Sequence, residues 1–154
     1  MGLVVVAPGA AVLTPMGMDK SGDLPVGKDT SGMKVSGWAA RSGYPDTVIS
    51  AGNNEILLST SGAGIARCRV TLTAGWNPGV GGGGFRVSLM QNTTEIKAAD
   101  FAVSALFVAL PDTPVTVQPG DRLWLAVSNT TTSFLGVTAT VKGGSGTYVT
   151  FDAV

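Results

Sequence analysis

The chain has 154 residues, ten basic and ten acidic side chains, no histidine and one cysteine. That balance provides no net field for nucleic acid or an anionic membrane. Without histidine, the usual Ser–His and Cys–His nucleophiles and histidine-based zinc sites are closed. Charged residues are 13% of the chain, about half the ordinary globular share. This suits a surface partly covered by neighbours, and equally a Gly-rich β protein that is sparsely charged. The length predicts one domain with an appended arm.

Residues 1–34 carry Gly, Pro, Met and Asp in no sustained period and read as an extended arm. No basic residue precedes Lys20, so the start lacks a signal peptide's positive region. Pro8-Gly9 breaks an apolar run already too short to span a bilayer. The run Leu3, Val4, Val5 and Val6 is predicted to dock by adding a strand to a sheet, its own or a neighbour's. Asp19-Lys-Ser-Gly-Asp23 loosely resembles a calcium loop but lacks its ligand spacing and final Glu. No metal and no cofactor is expected.

From Val35 to Val154 the texture becomes strand, turn, strand. Strands are predicted at 3–6, 35–40, 46–49, 54–59, 65–73, 84–91, 95–103, 105–110, 114–117, 121–128, 134–142 and 147–153. No stretch holds a 3.6 period between caps, so almost no helix is expected. The pattern predicts an all-β antiparallel sandwich or barrel over 35–154.

Cys68 alternates with Val70 and Leu72 on one face, which predicts a buried, inert thiol. Trp76 stands near loop tips, where a sugar would stack. Gly79-Val-Gly-Gly-Gly-Gly84 is followed by a strand pattern and no Lys-Ser/Thr, so it reads as a hairpin loop and not a phosphate cradle. In 101–110 both faces are apolar. Leu106, Val108 and Leu110 oppose Ala105, Phe107 and Ala109, and the extra face is predicted to meet another subunit. Trp124 points opposite to Leu123 and Leu125 and is predicted to anchor the same contact. The alternative is that loops or the arm cover both features within one chain. Pro119-Gly120 makes a tight reversal. Asp46, Glu55, Glu95, Asp100, Asp112, Asp121 and Asp152 sit in no paired catalytic setting, and no enzyme activity is expected.

Two places carry a resemblance. Val115-Thr-Val-Gln-Pro-Gly-Asp-Arg-Leu-Trp-Leu125, then Phe134-Leu-Gly136 and Thr147-Tyr-Val-Thr-Phe151, resembles the C-terminal half of C1q/TNF-like jelly rolls. Val35-Ser-Gly-Trp-Ala-Ala-Arg-Ser-Gly-Tyr-Pro-Asp-Thr-Val-Ile49 with Asn53-Asn-Glu-Ile-Leu57 is similar to small β-sandwich domains in minor tail proteins of phages infecting actinobacteria. Together they imply a homotrimeric jelly roll on a virion surface. The implied function is a non-enzymatic minor tail protein with an assembly or adhesion role, the arm docking to other virion proteins. Capsid decoration is the alternative within that class. A carbohydrate-binding module, needing an exposed aromatic near Trp76 or Tyr44, is the alternative from another. A host-surface glycan is an implied partner; nucleic acid and membrane insertion are not. Synthesis in the host cytoplasm without a signal peptide follows from the same reading. Five Phe and two Tyr are fewer aromatics than such jelly rolls carry, which leaves strand order open.

Overall fold

Parity along each strand sorts side chains into a core and two outer faces. In β6 (Gly62–Thr71), Ala66, Cys68 and Val70 are buried, while Ile65, Arg67, Arg69 and Thr71 point out. The computed structural model describes residues 12–50, 52, 54–135 and 137–154. Among them are thirteen strands and no helix. In chain order the others are β1 (Met16–Lys20), β2 (Leu24–Val26), β3 (Thr30–Lys34), β4 (Trp38–Ala40), β5 (Ile56–Leu57), β7 (Phe85–Gln91) and β8 (Thr94–Asp100). Then follow β9 (Phe107–Ala109), β10 (Thr113–Val117), β11 (Arg122–Asn129), β12 (Ala139–Val141) and β13 (Gly144–Ala153).

One sheet runs β10-β6-β13-β1-β4, with β9 on the same edge of β6 as β10. The other runs β3-β11-β7-β8, with β5 on the same edge of β11 as β3. A small β12-β2 ribbon flanks them. All pairs are antiparallel. The steps β6 to β7, β8 to β9 and β10 to β11 each cross between sheets, as a jelly roll requires. Met16, Met18, Val149 and Phe151 from one sheet face Phe85, Leu89, Leu123 and Leu125 from the other. Trp76 and Phe101 pack on Phe85, with ring centroids 5.4 and 5.5 Å away.

The sandwich is the expected one, but its start is not. The predicted arm of residues 1–34 includes β1, β2 and β3, so 34/35 is no structural boundary. β1 lies inside a sheet between β13 and β4, and Met16 and Met18 are core residues. Gly17 between the methionines and Asp19 after them hide the strand, because both residue types are depleted in strands. Gly17 is there for space: a Cβ would lie 2.8 Å from the Tyr44 ring. The docking run Leu3, Val4, Val5 and Val6 lies outside the described residues. The strand expected at 46–49 reduces to one bridge, Ile49 to Ile56.

The glycine run also differs from expectation. It is a crossing from β6 to β7, not a hairpin. It zips onto residues 130–132: Thr130 N–H donates to Gly84 O at 2.9 Å, and the Thr132 hydroxyl donates to Gly81 O at 2.7 Å. Gly83 has φ +120°, and a Cβ there would sit 2.7 Å from Thr130 O. Gly82, at φ +77°, has open space around it. The turn at 118–121 likewise crosses between sheets, from β10 to β11. Asp121 locks it, accepting from Gln118 N–H at 2.8 Å, Asn92 Nδ2 at 2.8 Å and Gln91 Nε2 at 2.9 Å. Those bonds, the Asn92 amide foremost, hold its carboxyl below the usual range.

These contacts give two expected outcomes. In urea unfolding, Gly82→Ala lowers stability by about 1 kcal/mol, the ordinary left-handed penalty. Gly83→Ala lowers it by about 3 kcal/mol, because strain and a backbone clash add. Burial pushes the Cys68 thiol up to about 12. A thiol reagent at neutral pH should therefore label Cys68 only as fast as the whole chain unfolds. Cys68→Ser should cost about 1–3 kcal/mol.

Candidate functional site

Register fixes which loops share an end. Phe85 pairs with Asn129, and Arg86 with Asp100, so the start of β7 meets the ends of β11 and β8. Loops 72–84, 101–106 and 130–138 therefore gather at one end. None of their residues is charged. Among the described residues, most exposed large hydrophobics lie here: Val80, Val103, Leu106, Phe107, Phe134 and Leu135. Segment 72–76 forms the middle of this end. On one side Leu72 N–H donates to Leu106 O at 2.8 Å and Trp76 N–H to Ala105 O at 2.9 Å. On the other, Thr73 N–H donates to Thr140 O at 2.9 Å. Beside it opens a pocket of about 350 Å³, lined by residues of 72–79 and 137–140. Trp76 is only 3% exposed. It is a core wedge and offers no sugar platform of the expected kind.

The outer face of the β6 sheet carries arginines laid on rings. The Arg69 guanidinium lies 3.9 Å from the Phe107 ring centre, and that of Arg41 lies 4.3 Å from Tyr148. Arg67 bridges Asp112 at 3.0 Å and Asp152 at 2.8 Å. The Tyr44 hydroxyl donates to Asp152 at 3.1 Å. Burial is the main cause that raises the Tyr44 pKa. Asp19 pairs with Arg41, and Asp23 accepts from Gly143 N–H at 2.8 Å, so the two acids of the calcium-like stretch serve different partners. Among the described residues no group of three His, Cys, Asp or Glu could hold a metal ion.

The predicted interface residues do not form one patch. Val108 pairs with Val70 and packs against the core, and Leu110 is 5% exposed within it. Phe107, beside outward-facing Thr71, is 50% exposed, and Leu106 is 52% exposed. The faces of this strand are thus the reverse of the expected ones at 107, 108 and 110. A run apolar on both sides contains no parity signal, and only the partner strand sets it. Trp124 lies on the other sheet, half-buried, its indole N–H donating to Asn92 O at 2.8 Å. Lys34 Nζ stands 4.3 Å from its ring. Together they border a cleft of about 420 Å³. At its floor Glu55 is buried and paired with Lys34 and with Arg122, the latter at 3.2 Å. Burial raises the carboxyl's pKa, but those cations outweigh it and hold Glu55 below the usual range.

No family model and no curated protein sequence matches the chain. Solved structures do. Eiger TNF from S. frugiperda superposes with a TM-score of 0.59 at 10% identity, over 92% of each chain. The crystal structure of murine APRIL at pH 5.0 gives 0.58 at 9% identity, over 93% of this chain and 100% of that one. At such identities the likeness speaks for architecture alone, and the architecture is a TNF-like antiparallel jelly roll.

Proposed function

We propose that the chain is a non-enzymatic structural protein of a phage virion, a minor tail protein that self-associates and offers its uncharged loop end for adhesion. The observation that carries this reading is the exposed set of Val103, Leu106 and Phe107, the last with Arg69 laid on its ring. Arg69 forms no ion pair among the described residues, and its Nε is buried without a partner. Such a surface favours cover by a second protein surface over water. A closed ring of identical subunits supplies that cover and leaves no open edge. Three is the number that the C1q/TNF resemblance implies. The resemblance of residues 35–57 to actinobacteriophage tail domains supports the virion setting. Docking to other virion proteins through Leu3, Val4, Val5 and Val6 belongs to the same proposal.

Energetics favour this set as a contributor, not the whole contact. Full burial of one such side chain is worth about 1.5–3 kcal/mol. Leu106 and Phe107 are already about half covered and Val103 about one third, so the three add about 1–2 kcal/mol apiece. A stable interface needs about 800 Å² from each partner, which brings in the neighbouring loops and the β6 face.

Light scattering on the wild-type chain at micromolar concentration should return the mass of three copies. Phe107→Asp should give a folded monomer. Val108→Asp should instead lower monomer stability by about 2–4 kcal/mol, because its charge enters the core edge. A monomeric wild-type chain would overturn the assembly reading. Antibody labelling of intact particles under the electron microscope should mark the tail. Labelling of the head shell would replace the tail assignment with capsid decoration.

A further inference from the structure

We propose that the pocket between residues 72–79 and 137–140 binds a neutral saccharide. The inference rests on the adhesion half of the function proposed above and gives that function a ligand class. At about 350 Å³ the pocket falls within the usual range for small-molecule sites. No charged side chain lines it. An acidic or basic ligand would lose hydration there with no opposite charge to replace it.

The polar groups that do line it are uncommitted. Within the described residues, the hydroxyls of Thr73, Thr138 and Thr140 make no hydrogen bond. Asn77 uses its Oδ1 to accept from Gly79 N–H at 2.9 Å, which leaves its amide donors free. Three hydroxyls and one amide provide both donors and acceptors, the combination a sugar's hydroxyls need. A purely apolar ligand would leave all of them without partners. An extended peptide is disfavoured too. Thr73 N–H and Thr140 O, the backbone groups it would use, are bonded to each other.

A second observation lies beside the lining residue Gly79. Ser133 is 1% exposed, and its Oγ has no partner. It sits 3.2 Å from where a Cβ on Gly79, a lining residue, would be. Gly79 has φ +70°, a conformation that disfavours any side chain there.

The test is a titration of the full chain with neutral glucose-, galactose-, mannose- and rhamnose-based mono- and disaccharides, with sialyllactose as the acidic comparison. Backbone amide NMR signals are followed. One or more neutral sugars should shift signals of 73–79 and 137–140, half-saturating near roughly 1 mM. Asn77→Ala combined with Thr138→Val should weaken binding tenfold or more while sedimentation stays unchanged. The proposal falls if no neutral sugar shifts these signals at roughly 50 mM. It also falls if the double variant binds equally well, or if only the acidic sugar binds. A monomeric wild-type chain that binds a neutral sugar would overturn the assembly reading and keep the pocket. A trimer that binds none would do the reverse.

Discussion

The pairing of β13 with both β6 and β1 is the constraint on which the rest depends. Its ten residues hold the middle of the six-stranded sheet, with Val149 opposite Cys68 on one side and Met18 on the other. Without it, β9, β10 and β6 form one fragment and β1 with β4 another, and neither covers the core. β1 and β13 therefore close the fold together. Such contacts join residues over a hundred positions apart, and their loop-closure cost predicts slow folding. The core can complete only when β13 is present.

Much of this was legible from local alternation. β6, β11 and β13 each carry alternating side chains, and the burial of Cys68, Leu123 and Leu125 follows from parity alone. Three features were not legible, each for a physical reason. β1 hides because Gly17 serves the Tyr44 ring and not strand propensity. The facing of Phe107 and Val108 depends on β6, a strand nearly forty residues earlier. Trp76 reads as an exposed tip from its Gly and Asn neighbours, yet it is held inward against Phe85. The pocket had no motif at all, since its threonines come from two distant segments.

The few charges are arranged with economy of place. Arg67 with two aspartates, Arg41 with Asp19, and Glu55 with Lys34 and Arg122 all lie on the flanks of the sandwich. The exposed Arg67 pairs order side chains without contributing much net stability, whereas the buried Glu55 depends on its two cations to stay charged. The three uncharged loops at the end are left with hydroxyls, amides and apolar tips. Recognition at that end would consequently be weakly dependent on ionic strength, in contrast to surfaces that steer by charge.

The glycine crossing has one more consequence. Residues 81–84 are tied to 130–132 largely through backbone groups and threonine hydroxyls, while Val80, Phe134 and Leu135 project outward from the same loops. Shape and identity are thus uncoupled at this end. Its tips are free to diverge in sequence while the scaffold beneath them persists. Sequence change would therefore fall on those tips first, and the same separation makes them the natural positions for grafting a foreign epitope.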